Sequence, residues 1–255
     1  MATIPNPEKD QHILIDMDVV KKEIEVSEIS PKDKIIEIGP GTGVLTKEIL
    51  KHSKKLVAFE IDERFRDDLY PIKKEYSGFK VIYGNALLMD WRGYNKLISN
   101  LPYGLSEPVI WKSIEDGIDF IVLIVGENFK KIIESGNSKI GFVANLFFDF
   151  EAILKIPKTA FNPSPRVNSW LIRLVRKKDV SLIDLRLQRF VMKSGKIKNA
   201  IVEIFRDLGK TKRDSKELVS KLGFPEHILE KPVSRVTGHF LKKLRGKLEE
   251  IVVSL

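Results

Sequence analysis

Short hydrophobic runs alternate with longer amphipathic segments through the first 125 residues of the chain. The amphipathic segments predict helices at Val44–His52, Glu63–Tyr76 and Glu107–Gly117. The hydrophobic runs predict buried strands at Lys34–Ile38, Leu56–Glu60, Phe79–Tyr83, Lys96–Asn100 and Phe120–Val125. Strands that alternate with helices in this way are typical of βαβ units, so the pattern predicts a parallel sheet.

Two further strands are predicted at Phe150–Ile156 and Val167–Val175. The proline-rich segment between them, residues 157–166, is short enough to join an antiparallel pair. This part of the chain therefore predicts an α/β fold with a mostly parallel, seven-stranded sheet that is closed by an antiparallel pair.

The pattern changes after the charged segment Arg176–Asp179. Beyond it, with glycine and proline residues between them, helices are predicted at Leu182–Met192, Ile197–Leu208, Ser215–Leu222 and Val233–Val253. We therefore predict two domains, an α/β domain over residues 1–178 and a small helical domain over residues 179–255.

The composition argues against several kinds of site. The 255 residues include no cysteine, which excludes disulfides and thiolate metal sites. The four histidines are scattered along the sequence, so we predict no metal site. The chain lacks both a long apolar run and a secretory signal, so we expect no membrane association and a cytoplasmic location.

The positive charge lies almost wholly in the last third of the chain. The net charge is +9, and residues 180–255 hold 17 Lys and Arg against 9 Asp and Glu. Such an excess suits a polyanion such as RNA or DNA phosphate. The alternative is a lysine-rich surface that only keeps the protein soluble.

A glycine-rich turn, Glu37–Gly43, follows the first predicted strand and precedes a predicted helix. Glycines allow the backbone to turn sharply and approach a ligand closely. The dinucleotide pattern G-x-G-x-x-G fails because Val44 takes its third glycine position. The spacing acid-x-G-x-G-x-G fits Glu37, Gly39, Gly41 and Gly43, and it indicates S-adenosylmethionine. A tight turn without a ligand is the alternative.

Polar residues also follow the next two predicted strands. Glu60 stands where a carboxylate can accept hydrogen bonds from both hydroxyls of a ribose, although it can instead be an acid at a helix N-terminus. Asn85 stands where an amide can pair with the adenine of a cofactor, although it can simply stabilise a turn.

The tetrapeptide Asn100-Leu101-Pro102-Tyr103 ends the fourth predicted strand, where an open parallel sheet lines its ligand crevice. It suits methylation of the N6 amino group of adenine, a poor nucleophile because its lone pair is delocalised into the ring. The Asn100 oxygen and the carbonyl of Leu101 or Pro102 can accept the two amino hydrogens and favour a pyramidal nitrogen. Tyr103 offers a ring for stacking of the extruded base. An ordinary Asn-Pro turn is the alternative.

A second aromatic residue, Phe161, precedes two prolines, Pro163 and Pro165. Phe161 can face the side of the target base opposite to Tyr103. Alternatively, it is a core residue that anchors the loop.

Together these motifs resemble the KsgA family of rRNA adenine dimethyltransferases and the related Erm enzymes, from Gln11 to about Leu244. The segments that carry the resemblance are Gln11–Leu14 (family Q-[NH]-F-L), Glu37–Gly43 (E-I-G-x-G-x-G), Glu60 (the ribose acid), Gly84–Leu87 (G-D-A-L), Asn100–Tyr103 (N-L-P-Y), Phe161–Ser169 (F-x-P-x-P-x-V-x-S) and Lys196–Asn199 (a basic helix).

The resemblance implies the Rossmann-like fold of class I S-adenosylmethionine-dependent methyltransferases, with S-adenosylmethionine as the cofactor. It implies transfer of two methyl groups to each of two adjacent adenines near the 3′ end of small-subunit rRNA, and we expect a monomer acting on a pre-30S particle.

Together, the resemblance and the motifs assign residues to the three parts of the site. The cofactor contacts are Gln11, His12, Leu14, Glu37, Gly39, Gly41, Gly43, Glu60, Ile61, Asn85, Ala86 and Asn100. The catalytic residues are Asn100, Leu101, Pro102, Tyr103 and Phe161. The RNA contacts are Lys193, Lys196, Lys198 and Arg166.

The chain departs from the family pattern at four places. Asn85 replaces the usual Asp, and we expect weaker or altered cofactor binding, not its loss. Residues 7–10 replace a basic lead, residues 125–129 lack an expected glutamine, and residues 193–196 replace an arginine-rich cluster.

Two other functions stay open. One is an RNA-binding assembly or transcription factor without turnover, which Asn85 and residues 125–129 favour and the intact Asn100–Tyr103 disfavours. The other is a methyltransferase for large-subunit rRNA, protein or small molecules, of which the basic C-terminal region disfavours the last two.

Overall fold

The computed structural model describes residues 3–6, 8 and 11–253. Pro7, Lys9 and Asp10, three residues of the altered segment before Gln11, lie outside the described residues. The chain forms two compact units. The first comprises the chain up to Lys131 together with Phe148–Arg176, and the second comprises Ile132–Phe147 together with the chain from Lys177 onward.

The first unit contains the sheet. In chain order, the strands among the described residues are β1 (Ile13–Leu14), β2 (Ile35–Ile38), β3 (Leu56–Glu60), β4 (Phe79–Tyr83), β5 (Lys96–Asn100), β6 (Phe120–Gly126), β7 (Phe148–Ile156), β8 (Phe161–Asn162) and β9 (Ser169–Arg176). Seven of them form one sheet in the order β4-β3-β2-β5-β6-β9-β7. The first five in that order run parallel, and β9 is antiparallel to both neighbours, as predicted. Strands β1 and β8 form a separate antiparallel pair.

The helices of the described residues are α1 (Met17–Val26), α2 (Val44–His52), α3 (Arg66–Glu75), α4 (Ser106–Asp116), α5 (Glu127–Ser135), α6 (Lys139–Phe147), α7 (Leu182–Val191), α8 (Ile197–Asp207), α9 (Lys212–Lys221), α10 (Glu226–Leu229) and α11 (Gly238–Val253). The predicted helix Glu63–Tyr76 is a 3₁₀ turn, Glu63–Phe65, followed by α3. The predicted helix Val233–Val253 is likewise a 3₁₀ turn, Val233–Arg235, followed by α11.

The central strands are buried on both faces, which explains their continuous hydrophobic runs. Every residue of β2 and β3 is buried. Parallel strands covered by helices on both sides require such runs rather than an alternating pattern. Val20, Ile49, Leu69 and Ile98, which come from three helices and β5, are all fully buried in the same core. This packing fixes the carboxyl ends of β2 to β5, where the predicted motifs begin.

The second unit is helical. Its buried residues include Phe190, Phe205 and Leu244. At the start of α7, Ser181 and Asp184 form a reciprocal capping box, and Arg245 Nε donates to Asp184 Oδ1 at 2.6 Å. No helix among the described residues is both long and apolar enough to span a bilayer.

Candidate active site

A cavity of about 490 Å³ opens at the carboxyl ends of the central strands. Its volume is in the range of small-molecule sites, roughly 300–1,000 Å³. Most of the residues predicted for catalysis and cofactor binding line it: Gln11, His12, Gly39, Gly41, Glu60, Ile61, Asn85, Ala86, Asn100, Leu101, Pro102, Tyr103 and Phe161. The structure thus brings together residues from β2, β3, β4 and β5 that are far apart in the sequence.

Three residues predicted as cofactor contacts do not line the cavity. Leu14 is a core residue. Glu37 is buried and accepts a hydrogen bond from Thr46 Oγ1 at 2.7 Å. At Gly43, a Cβ atom would stand 2.3 Å from Ile72 Cδ1, so glycine allows α2 and α3 to approach closely there. Their structural contacts therefore lie in the packing around the cavity and not in its lining.

The glycine-rich turn has the backbone conformation that its sequence predicts. Gly39 and Gly41 have φ angles of +68° and +54°, in the left-handed region that favours glycine. A Cβ atom on Gly39 would meet no atom within 4 Å, so the turn leaves open space beside it. The Gly41 backbone N–H donates to Glu60 Oε2 at 3.0 Å, which ties the turn to the end of β3.

Glu60 and Asp62, the two acids after β3, have different partners. Glu60 is buried, and its other oxygen, Oε1, accepts from the Asp62 backbone N–H at 2.9 Å. Burial raises the pKa of Glu60, although the backbone hydrogen bonds oppose this shift. Asp62 instead accepts from Arg64 and from Gln11 Nε2, at 3.0 Å, and the Arg64 hydrogen bonds lower its pKa strongly. Glu60 is therefore the acid with oxygen lone pairs left for a ribose.

Asn85 stabilises its own turn. Its Oδ1 accepts from the Leu87 backbone N–H at 3.0 Å and caps the 3₁₀ turn Ala86–Leu88. The turn-stabilising alternative therefore accounts for the side-chain oxygen. The amide nitrogen is the group that remains to donate to a ring nitrogen of an adenine.

Ser169, His12 and Gly126 all contact Tyr103 and hold its ring in place. Its hydroxyl lies 2.6 Å from Ser169 Oγ. The His12 ring stacks on it with a centroid distance of 6.3 Å. A Cβ atom on Gly126 would stand 3.4 Å from Tyr103 Cγ, so the ring lies against the Gly126 backbone. Gly126 belongs to the stretch that departs from the family pattern, and its lack of a side chain makes room for the ring.

Phe161 has both of the roles considered for it. It is 5% exposed and belongs to the core, yet it also lines the cavity. It pairs with Leu14 across β1 and β8, and His12 Nδ1 lies 2.8 Å from the Pro163 carbonyl oxygen. These contacts attach the N-terminal motif to the proline-containing loop.

Glu23 was missed by the sequence patterns. It lies on α1, is fully buried, and stands directly behind Asn100. With the Asn100 amide oriented to satisfy both groups, its Nδ2 donates to Glu23 Oε2 at 3.1 Å and to Oε1 at 3.2 Å. Burial raises the pKa of Glu23 well above its usual value, the neighbouring Glu37 carboxyl adds to this shift when it is ionised, and the Asn100 hydrogen bond opposes both. Burial likewise raises the pKa of Glu37 to about 8.

The lysines predicted to contact RNA form ion pairs. Lys193 Nζ lies 2.6 Å from Glu203, and Lys196 Nζ lies 2.6 Å from Glu230. Lys198 also pairs with Glu230. Together the two lysines lower the pKa of Glu230 to about 2. Arg166 is exposed and lies in the first unit.

A crevice of about 590 Å³ adjoins Lys193 between α7 and α8. Four more cations line it: Arg186, Arg189, Arg206 and Lys210. Arg186 pairs with Asp207, but among the described residues Arg189, Arg206 and Lys210 have no acidic partner. The sequence patterns did not single out these arginines.

Comparison with known proteins supports the resemblance. The model of the family described as ribosomal RNA adenine dimethylase matches residues 5–213. A relative from Methanococcus maripaludis strain C6 is 31% identical over 93% of this chain and 97% of its own. A relative from Pyrococcus furiosus is 30% identical over 96% of this chain and 92% of its own. Both are named "Probable ribosomal RNA small subunit methyltransferase A".

Solved structures show the same fold. A dimethyladenosine transferase from Plasmodium falciparum superposes with a TM-score of 0.67 at 22% identity, over 91% of this chain and 96% of that one. The 23S rRNA methyltransferase ErmE superposes with a TM-score of 0.65 at 20% identity, over 93% and 99%. The predicted class I methyltransferase fold is therefore confirmed. Because the family model covers most of the residues, the chain belongs to the ribosomal RNA adenine dimethylase family of enzymes.

Proposed function

We propose that the protein transfers methyl groups from S-adenosylmethionine to the N6 amino group of adenines in small-subunit rRNA. The observation that carries the proposal is one continuous cavity. Gly39 and Glu60, at the ends of β2 and β3, line this cavity. Asn100, the last residue of β5, and Tyr103, which follows β5, line it as well. A methyl donor and a target base therefore have room to meet in a single site.

The residues at one side of the cavity fit the methyl donor. Glu60 presents a buried carboxylate for the ribose hydroxyls, Asn85 presents an amide nitrogen for the adenine ring, and the backbone at Gly39 leaves open space. S-adenosylmethionine, when bound, supplies a methyl group that its sulfonium charge has already activated. The protein's main task is then to position the acceptor nitrogen.

The residues after β5 fit the target base. The Asn100 oxygen and a carbonyl of Leu101 or Pro102 accept the two amino hydrogens of adenine, which leaves the nitrogen lone pair directed at the methyl group. Tyr103 supplies a stacking surface that Ser169 and Gly126 hold in place. Such stacking contributes about 1–3 kcal/mol per base. Phe161 lines the same cavity and is the second aromatic side chain proposed to face the base.

The finer details of the proposal follow from the resemblance. Two methyl groups go to each of two adjacent adenines near the 3′ end of the rRNA, within a pre-30S particle, and the enzyme acts as a cytoplasmic monomer. Residues 1–178 carry the catalytic site, and residues 179–255 bind RNA. The proposed RNA contacts are Lys193, Lys196, Lys198 and Arg166, and the positive excess of the C-terminal region supports the assignment of the three lysines.

The test is methyl transfer from labelled S-adenosylmethionine to small-subunit particles that lack dimethyladenosine, with large-subunit RNA and mixed protein assayed in parallel. We expect label in the small-subunit rRNA alone, and mass spectrometry of its digest should show N6,N6-dimethyladenosine. Label in large-subunit RNA alone would overturn the substrate assignment. Binding of S-adenosylmethionine and particles without transfer would instead favour the non-catalytic alternative.

A further inference from the structure

The buried face of α1 contains one residue that packing does not explain. The buried residues of this helix are Val19, Val20, Glu23 and Val26, so a carboxyl group occupies a position that suits an apolar side chain. Burying a carboxyl group destabilises a fold unless hydrogen bonds compensate. Glu23 nevertheless is fully buried, and the polar group it meets is the amide of Asn100.

The geometry between the two side chains determines which way the Asn100 amide faces. Both oxygens of Glu23 lie within 3.2 Å of the same terminal atom of that amide. Only with Nδ2 at this place are both ends of the Asn100 amide satisfied, because in the reverse orientation its oxygen faces only acceptors and its nitrogen only donors. Oδ1 is then the terminal atom turned away from Glu23. Asn100 lines the cavity, whereas Glu23 does not.

We infer that Glu23 is a positioning residue, which holds Nδ2 of Asn100 so that Oδ1 is presented to the amino group of the target adenine. The inference rests on the proposed methyl transfer to N6 and adds to it a residue that touches neither substrate. The hydrogen bond from Asn100 itself favours the ionised form of Glu23, in opposition to burial and to Glu37.

The orientation matters because the two ends of an amide have opposite hydrogen-bonding roles. If the Asn100 amide turned over, Nδ2 would face the adenine amino group, and two donors would meet. The amino hydrogens would then lose one acceptor, and the lone pair of the adenine N6 nitrogen would no longer be directed at the methyl group. Misplacement of reacting groups by about 1 Å can cost on the order of 100-fold in rate. The loss falls on the transfer step, since Glu60 and Asn85 lie elsewhere in the cavity.

Two variants separate positioning from packing. Glu23→Leu fills the buried position with an apolar side chain and removes the partner of Asn100. Glu23→Gln keeps a hydrogen bond but can offer either an oxygen to Nδ2 or an NH₂ group to Oδ1, so it no longer selects one orientation. Glu25→Leu and Glu25→Gln are the matched controls, because Glu25 lies exposed on the same helix and pairs with Lys22 at 2.7 Å.

The experiment measures kcat and KM for methyl transfer to small-subunit particles, the Kd of S-adenosylmethionine by calorimetry, and the Tm of each variant. We expect Glu23→Leu to lower kcat about tenfold to a hundredfold, with Kd and KM changed less than about threefold and Tm equal or higher. Glu23→Gln should lower kcat less, and both Glu25 variants should match the wild type.

Three results would overturn the inference or its premise, and they can be told apart. If the kcat of Glu23→Leu equals that of the wild type, Glu23 has no positioning role. If kcat falls in both Glu23 variants together with Tm, or by the same factor as the affinity for S-adenosylmethionine, then Glu23 only supports the fold. If the wild-type protein itself transfers no label, the proposed function fails first.

Discussion

The hydroxyl of Tyr103 lies 2.6 Å from Oγ of Ser169, which connects the loop after β5 to the start of β9. The two residues are 66 positions apart in the sequence, and strand β6 separates β5 from β9 in the sheet. The ring of Tyr103 also lies against Gly126, at the end of β6. The loop therefore has its aromatic surface fixed before any base arrives.

Substitutions at Tyr103 should separate stacking from this hydrogen bond. We expect Tyr103→Ala to lower kcat/KM roughly 5- to 150-fold, because it removes a stacking surface worth about 1–3 kcal/mol. Tyr103→Phe keeps the ring and should lower kcat/KM only a few-fold. Ser169→Ala should lower kcat/KM by a similar factor, because both substitutions remove the same hydrogen bond. Steady-state transfer to small-subunit particles provides the measurement. Equal losses in Tyr103→Phe and Tyr103→Ala would exclude stacking as the main role.

Asn100→Ala should abolish methyl transfer while leaving RNA binding largely intact. The substitution removes the acceptor for an amino hydrogen of the target base but leaves the basic surface of the second unit unchanged. Transfer assays and filter binding of the same particles test the two halves of this prediction. Turnover that survives the substitution would refute the role assigned to Asn100.

The sequence predicted the sheet well because burial leaves a continuous hydrophobic signal. Strands β3, β4 and β5 have the predicted bounds. Helix α6 was missed because seven of its nine residues are buried, and a short run that is apolar all round does not distinguish a helix from a strand. Helix α1 was missed as well, and Glu23 interrupts the apolar face that would have indicated it.

The site was predictable where its residues follow strand ends and unpredictable where they meet through tertiary contacts. Gly39, Glu60 and Asn100 each follow or end a central strand, and parallel strands place such residues at one edge. No spacing rule connects Glu23 with Asn100. The same holds for Lys196 and Glu230, whose ion pair depends on the fold of the second unit.

Charge reversals should locate the RNA surface. We expect the pair Lys196→Glu and Lys198→Glu to weaken RNA binding and flatten its salt dependence. Because Glu230 already pairs with both lysines, the pair Arg189→Glu and Arg206→Glu should have the larger effect. For every phosphate that is no longer neutralised, the slope of log K against log salt should fall by about 1.

A third charge reversal serves as the control for these measurements of RNA binding at several salt concentrations. Lys216→Glu, on the exposed surface of α9, changes the net charge by the same amount per residue without touching the crevice. It should alter the slope least. If both double variants keep the wild-type slope, the RNA surface lies elsewhere on the protein.

Burial of Glu37 should make the stability of the fold fall as the pH rises. The folded protein keeps the Glu37 proton up to a pKa of about 8, whereas the unfolded chain releases it near the ordinary value of 4.5. Between these values the unfolded state binds fewer protons, so the free energy of unfolding decreases by at most about 1.4 kcal/mol per pH unit. The stabilising contribution is complete below about pH 4.5 and lost as the pH passes 8.

Glu37→Gln should remove this contribution, because glutamine stays neutral and its oxygen can still accept from Thr46 Oγ1. Urea unfolding at several pH values between 5 and 8 measures the effect. As the pH rises, the free energy of unfolding should decrease less for the variant than for the wild type. Glu75→Gln, on the exposed surface of α3, controls for the exchange of glutamate for glutamine. Parallel curves for Glu37→Gln and the wild type would show that the folded protein does not retain the Glu37 proton.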